Sequence, residues 1–118
     1  MEKKYPETYD RLIGLMGKLG KEIGGTMAGL GQLHKQALAD GALSTKIKEL
    51  MTLAISITAR CEGCIAAHVQ AALRAGATPQ EITESIGVAI YMGGGPAMVY
   101  GCEALDALEQ FQASGVRK

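Results

Sequence analysis

Cys61, Cys64 and His68 are the residues of this chain whose types and spacing best suit chemistry. They are separated by three and four residues, so on one α-helix they share a face, and residues four apart are neighbours. Two thiols and an imidazole in this arrangement can carry out thiol redox chemistry or bind a metal ion. The spacing therefore leaves two classes of site open.

The thiol interpretation depends on where the helix begins. A helix that starts at Cys61 places both thiols in its first turn, where unpaired N–H groups and the macrodipole favour thiolate over thiol. His68 could accept the proton of Cys64 and stabilise the thiolate as imidazolium, as for an activated nucleophile. The second thiol could then attack a sulfenic acid or mixed disulfide on the first. Arg60 adds positive charge nearby, whereas Glu62 opposes it.

Glu49 is a candidate carboxylate partner for the imidazole. It precedes Cys61 by twelve residues in the preceding predicted helix, and a straight helix would put the two on different faces. A chain break near Arg60 would let the next helix fold back and bring Glu49 beside His68. The alternative is a solvated residue in the charged cluster at the start of its helix. The sequence pattern leaves both positions of Glu49 open.

Other interpretations of the two cysteines also need weighing. A structural zinc site needs four ligands and the motif supplies three, so His34, Glu49, Cys102 or a partner subunit would have to supply the fourth. A c-type haem site fails because Ile65, not histidine, directly follows Cys64. Two inert, packed cysteines are also compatible with the pattern. We expect a redox dithiol, with no metal ion and no cofactor.

The periodicity of apolar residues predicts an all-α single domain of about six helices over residues 1–118. The predicted helices cover about residues 1–20, 26–40, 45 to the break near 60, 61–75, 79–93 and 97–113. Gly41 and Gly76 are predicted to follow the second and fourth helices. Ser44 or Thr45 is predicted to cap the start of the third helix. Thr78-Pro79-Gln80-Glu81 is a capping box at the start of the fifth.

Two further chemically capable side chains lie on predicted apolar faces. His34, in the second helix, is either a packed residue or a relay or ligand in a shared pocket. Cys102, in the last helix, is expected to be a small buried residue and not a reactive thiol. The loop at residues 93–96 is glycine-rich but lacks a following Lys-Ser/Thr and a preceding strand, so phosphate binding is not expected.

Composition narrows the function classes. The chain has 118 residues, 47% of them apolar and 20% charged, which is more apolar than a small monomer readily buries, so we expect subunit interfaces. Twelve acidic and twelve basic residues balance without a basic stripe, which argues against nucleic-acid binding. No apolar run approaches the roughly 20 residues that cross a membrane. Three cysteines and no apolar leader predict a reducing cytoplasm.

Glu49, the Cys61-x-x-Cys64-x-x-x-His68 motif, the segment AALRAGATPQEI and the turn GGGPA resemble the carboxymuconolactone decarboxylase-like superfamily. Within it they are most similar to the alkylhydroperoxidase D branch. The resemblance covers about residues 40–112, and its specific part is the Glu-x11-Cys-x-x-Cys-x3-His spacing. It implies an all-α subunit that assembles as a homo-oligomer, often a trimer or hexamer.

The resemblance also implies roles for the site residues. Cys64 would attack peroxide and become sulfenic acid, and Cys61 would protonate the leaving group and then form the Cys61–Cys64 disulfide. His68 would act as base, and Glu49 would complete the proton relay. The implied substrate is a hydroperoxide or a disulfide, and the implied reductant is a dithiol protein or a lipoyl group. This chain has Gly63 where the well-characterised peroxidase has a histidine, so part of that relay is missing.

Three functions are therefore compatible with the sequence. The leading one is a cytoplasmic thiol-dependent oxidoreductase, with peroxidase-like or disulfide-reductase activity. The second is a non-redox lactone decarboxylase or isomerase that uses His68 as general acid and base. The third is a zinc-held structural module.

Overall fold

The computed structural model describes residues 3–115, which form six α-helices without a strand. The helices are α1 (Tyr5–Glu22), α2 (Gly24–Leu38), α3 (Thr45–Thr58), α4 (Glu62–Arg74), α5 (Pro79–Gly93) and α6 (Gly95–Ala113). The predicted all-α class with about six helices is confirmed, whereas the single-domain organisation over residues 1–118 remains a prediction. Met1 and Glu2, which the predicted first helix included, lie outside the described residues. No helix in the described part of the chain is long and apolar enough to cross a membrane.

Helices α3, α4, α5 and α6 form the tightly packed part of the subunit. Helix α3 packs against α4 and α5, while α6 packs against α4 and α5. Their largest fully buried side chains are Leu53, Ile57, Ile65, Val69, Ile82 and Phe111. Tyr5 is the one buried residue of α1, and α2 buries none. The hydrophobic core therefore lies almost entirely within the last four helices.

The local signals at the ends of these four helices act as predicted. Ser44 caps α3, where its hydroxyl oxygen accepts a hydrogen bond of 3.2 Å from the Ile47 N–H. The capping box of α5 is complete, because Thr78 and Glu81 each accept a hydrogen bond from the other's backbone N–H. Gly76 follows α4 with a φ of 96°, a left-handed conformation that glycine adopts without steric cost.

The predicted bounds of α2 were wrong by two residues at each end. The helix begins at Gly24 and ends at Leu38, so Gly41 is not its C′ residue. The last carbonyl groups are satisfied from α3 instead. The Thr45 hydroxyl donates to the Leu38 oxygen at 2.7 Å, and the Lys48 ammonium donates to the Ala39 oxygen at 2.6 Å. Long-range capping of this kind leaves no signal next to the helix end.

The prediction that Cys102 is buried was also wrong. Helix α6 buries a face of small residues and two large ones, and Cys102 lies beside that face in an exposed position. Gly101, the preceding residue, takes the buried position against Ile86 of α5. Successive residues are about 100° apart around a helix, so the close approach of α5 and α6 at Gly101 turns Cys102 outwards.

Candidate active site

A tight reversal between α3 and α4 positions the dithiol. Helix α3 ends at Thr58, α4 begins at Glu62, and Arg60 between them has a φ of 59°. Left-handed backbone is uncommon for a residue with a Cβ atom, and here it lets the chain fold back. The Cys61 N–H donates to the Ser56 oxygen at 3.1 Å and ties the reversal to the last turn of α3. The structure thus has the chain break near Arg60 that the Glu49 hypothesis required.

Cys61 and Cys64 lie at the N-terminus of α4 and are joined by a disulfide, with their Cα atoms 5.2 Å apart. Cys61 is the N-cap residue, so the regular helix begins at Glu62, one position after the predicted start at Cys61. Its Sγ accepts a hydrogen bond of 3.3 Å from the Cys64 N–H. After reduction, this N–H and the positive end of the helix would stabilise a Cys61 thiolate.

His68 lies one turn beyond Cys64 on α4 and pairs with Glu49 of α3. The distance from His68 Nδ1 to Glu49 Oε1 is 2.7 Å. The Glu49 side chain is 7% exposed and that of His68 is 17% exposed, so the pair is shielded from water. With Glu49 as a carboxylate, which only accepts hydrogen bonds, His68 donates from Nδ1. Its Nε2 is then the nitrogen that remains for proton transfer.

The burial of Glu49 excludes the alternative of a solvated residue in a charged cluster. Glu49, Leu53 and Ile57 follow one another at intervals of four residues, and all three are buried. Residues at this spacing share a helix face, which in α3 is the face turned towards the core. This spacing is the feature of the sequence that could have predicted that Glu49 is buried on the core-facing side of α3.

An ion-pair cluster from the N-terminal segment reaches the same end of α4. The Lys3 ammonium lies 2.9 Å from Glu62 and 2.8 Å from Glu103 of α6. Its hydrogen bonds to Glu103 and then Glu62 raise the pKa of Lys3 above its ordinary value. Lys3 therefore stays charged and offsets the negative charge of Glu62 beside the cysteines. Sequence reasoning missed this contact because nothing local connects residues so far apart in the chain.

Tyr5 anchors this segment beneath α6. Its ring is fully buried and its hydroxyl donates to Glu103 at 3.1 Å, while its backbone N–H donates to Gln110 at 2.8 Å. Burial, and then the hydrogen bond to Glu103, raise the pKa of Tyr5, so it keeps its proton. The cluster of Lys3, Tyr5 and Glu103 thus holds the N-terminal segment against the α4 end that carries the dithiol.

Three further residues that the sequence analysis named are His34, Gly63 and Cys102. The ring of His34, an exposed residue of α2, is centred 6.4 Å from the ring of His68. A Cβ atom at Gly63 would meet Leu12 at 3.5 Å, an ordinary contact. The sulfur of Cys102 lies 4.0 Å from that of Met98 on α6. Within residues 3–115 no three His, Cys, Asp or Glu side chains are grouped to hold a metal ion, so the zinc hypothesis gains no support.

The fold and the site together define an all-helical subunit with a cysteine pair at a helix N-terminus and a carboxylate–imidazole pair one turn away. Residues 25–107 match the model of the carboxymuconolactone decarboxylase family. The chain belongs to this family.

Relatives in sequence and structure support this assignment. A carboxymuconolactone decarboxylase family protein from Legionella pneumophila, solved in its apo form, has a TM-score of 0.89 and 38% identity, covering 93% of this chain and 98% of its own. A Thermotoga maritima structure has a TM-score of 0.79 and 25% identity, covering 90% and 96%. An uncharacterised protein of Cupriavidus necator is 33% identical over 97 residues, which span 82% of this chain and 86% of that protein.

Proposed function

We propose that this protein is a thiol-dependent oxidoreductase that cycles Cys61 and Cys64 between dithiol and disulfide. The observation that carries the proposal is the arrangement of the dithiol beside the Glu49–His68 pair. The dithiol lies at the N-terminus of α4, and His68, one turn further on, keeps Nε2 free because Glu49 engages Nδ1. A second thiol, a base and a group that orients the base are the parts that an activated cysteine needs.

With a hydroperoxide as substrate, the reaction has two steps. The Cys64 thiol gives its proton to His68, and the thiolate attacks the distal peroxide oxygen. The O–O bond breaks, the alkoxide takes the proton of the Cys61 thiol and leaves as alcohol, and Cys64 becomes sulfenic acid. The Cys61 thiolate then attacks Cys64, the S–O bond breaks, and the hydroxide takes the proton from His68 and leaves as water as the disulfide forms. Two electrons pass from the dithiol to the peroxide, which yields one alcohol and one water.

A dithiol, such as a dithiol protein or a lipoyl group, would return the two electrons. One of its sulfurs attacks Cys64 and releases Cys61 as thiolate, which the Cys64 N–H and the helix dipole stabilise as a leaving group. The second sulfur of the reductant then releases Cys64 and becomes part of the reductant's own disulfide. The stabilised cap position of Cys61 supports this order of attack.

The same cycle run against a disulfide substrate needs no peroxide and would be disulfide reduction. Gly63 occupies the position where the well-characterised peroxidase of the alkylhydroperoxidase D branch has a second histidine, so part of that relay is missing. Disulfide reduction needs less of the relay than peroxide turnover does. One Thermotoga maritima family member, with a TM-score of 0.70 and 26% identity, bears a name that suggests involvement in the antioxidative response. We infer a related role for this chain.

A second candidate function is supported by the carboxylate–imidazole pair, which forms without any contribution from the cysteines. The buried Glu49 and His68 could act as general base and acid on a lactone or a related substrate, as a decarboxylase or isomerase requires. In that case the cysteines would hold the start of α4 and take no part in the chemistry.

A double variant, Cys61→Ser with Cys64→Ser, separates the two functions. The redox proposal predicts that it loses all hydroperoxide and disulfide turnover, while His68→Ala keeps the dithiol but slows it by about a hundredfold or more. The matched control is Cys102→Ser, which removes the exposed thiol and should react as wild type. Decarboxylase or isomerase turnover that survives in the double variant and is lost in His68→Ala would favour the second function.

We propose that the protein works in the cytoplasm, because its odd count of three cysteines fits a reducing compartment. We also propose that the subunit forms a homo-oligomer, such as a trimer or hexamer. The proposal rests on exposed apolar side chains of α3 and α5: Ile55 is 63% exposed, Val88 61%, Tyr91 85% and Met92 73%. Apolar patches of this kind are typical of interaction surfaces. Sedimentation of wild type and of Met92→Lys tests it, because a charge within the interface should lower the subunit number.

A further inference from the structure

His34 has no part in the proposed reaction, yet it lies beside the residue that moves the proton. It comes from α2, whereas His68 comes from α4, and their ring centres are 6.4 Å apart with a tilt of 32°. No side-chain hydrogen bond or ion pair of His34 is present within residues 3–115, and α2 buries none of its side chains. Packing therefore does not account for its position.

Exposure to solvent increases from Glu49 through His68 to His34. The Glu49 side chain is 7% exposed, that of His68 is 17% exposed, and His34 is an exposed residue. A proton that arrives on His68 is shielded on one side by Glu49 and by the core. His34 of α2 is the more exposed imidazole beside His68.

The distance between the His34 and His68 rings suits a contact mediated by a water molecule. Even with the nearest nitrogens facing one another, this separation exceeds a direct hydrogen bond of about 3 Å. One water can bridge such a gap at little cost. Histidine is also the side chain that takes up and releases protons most readily near neutral pH.

We propose that His34 exchanges protons between His68 and bulk water through one bridging water. The inference rests on the proposed function, because it takes His68 as the base of the thiol cycle. Each reductant thiol loses its proton when it attacks, and His68 is the base that takes this proton up. A proton that the released Cys61 or Cys64 thiolate does not take from His68 must leave His68 before the next cycle. His34 acts here through His68 and does not touch the reacting sulfurs.

The first test measures reduction of the Cys61–Cys64 disulfide by dithiothreitol at low buffer concentration. His34→Gln should slow reduction by about tenfold, a modest share of what general acid–base catalysis contributes. Added imidazole should restore the rate in this variant and leave wild type unchanged. Gln36→Ala is the matched control, because it lies on the same exposed helix about 200° around from His34.

The second test needs no turnover. The chain contains only two histidines, so the ring signals of His68 can be assigned by NMR from His34→Gln alone. Exchange of the His68 ring proton with water should slow in His34→Gln and stay at the wild-type rate in Gln36→Ala. A His34→Gln change in the His68→Ala background should have no effect on reduction, because the two residues act in series.

Two outcomes would overturn the inference. One is a His34→Gln variant in which both the rate of disulfide reduction and the exchange of the His68 ring proton are unchanged. The other is a slowed reduction that imidazole does not restore, which would indicate a structural effect. If wild type itself is not reduced by dithiothreitol, the proposed function fails, and the exchange measurement still decides whether His34 serves His68.

Discussion

The α1–α2 hairpin and the four-helix part formed by α3 to α6 differ sharply in how they are held. The four-helix part buries Leu53, Ile57, Ile65 and Phe111 completely, whereas α2 buries no side chain and α1 buries only Tyr5. The Glu49–His68 pair and the dithiol belong to the packed part, and His34 belongs to the hairpin. The packed part therefore holds the candidate site residues in place, while the hairpin supplies the surface beside them.

Truncation of one leucine in each part is the strongest test of this comparison. Leu53 is fully buried and Leu33 is 63% exposed. Leu53→Ala should lower the free energy of unfolding by about 2–5 kcal/mol, because it removes buried methyl groups and leaves a cavity. Leu33→Ala should change it by less than about 0.5 kcal/mol. Urea unfolding of both variants gives the two values, and a large loss in Leu33→Ala would mean that the hairpin is buried against a second copy.

A glycine in each part gives a second contrast, of opposite sign. A Cβ atom at Gly101 would lie 2.8 Å from Ile86, whereas one at Gly17 would meet nothing within 4 Å. Gly101→Ala should destabilise the fold by about 1–3 kcal/mol through overpacking. Gly17→Ala should stabilise it by up to about 1 kcal/mol through helix propensity. Thermal unfolding measures both changes, and equal effects would show that α5 and α6 do not approach closely at Gly101.

Residue 63 lies where the two parts meet, on α4 opposite Leu12 of α1. Gly63→His would introduce the histidine that the peroxidase branch has, and its first side-chain atom finds ordinary contact distance there. An added proton donor beside Cys64 should raise hydroperoxide turnover by about tenfold or more. The reduction rate with dithiothreitol should stay near wild type, because it depends on less of the relay. A stopped-flow peroxide assay on Gly63→His and on Gly63→Ala separates the imidazole from the mere presence of a side chain.

The smallest expected effect concerns pH and the capping box of α5. The backbone N–H of Thr78, and then the Lys46 ammonium, lower the pKa of Glu81. A carboxyl group whose pKa is lower in the folded state stabilises the fold above the unfolded value of about 4.3 and loses that effect as the pH falls through the folded value. The stability difference between wild type and Glu81→Gln should therefore shrink on acidification. A difference that is constant with pH would contradict this assignment. A Lys46→Met background should reduce the difference, because the Lys46 ammonium is the second cause of the lowered pKa.

Local patterns in the sequence predicted most of the fold. The capping box at Thr78, the cap at Ser44 and the glycine at position 76 mark helix ends through neighbouring residues, and these predictions agree with the structure. The end of α2 and the exposure of Cys102 were predicted wrongly, since both depend on contacts with another helix. Periodicity shows that a helix has an apolar face but not which half of a broad face is covered.

The candidate site shows the same division. The spacing of Cys64 and His68 lies within one helix, so the sequence alone brings them together. The pairing of Glu49 with His68 depends on the left-handed turn at Arg60. Because residue 60 is not glycine, the sequence does not predict a left-handed conformation there. Two contacts join residues far apart in the chain: the Lys3–Glu62 ion pair and the approach of the His34 ring to the His68 ring. No local sequence pattern predicts either contact. The catalytic roles of Cys61, Cys64, His68 and Glu49 remain predictions.

The central claim is that Cys61 and Cys64 form a redox dithiol, and a thiol count on the fully reduced protein tests it most directly. The chain has three cysteines, so three free thiols should be present before one equivalent of hydroperoxide is added. The proposal predicts that one remains afterwards, on Cys102, and that peptide mapping finds a Cys61–Cys64 disulfide. Three thiols that survive the treatment, or a disulfide formed between Cys102 residues of two subunits, would contradict it.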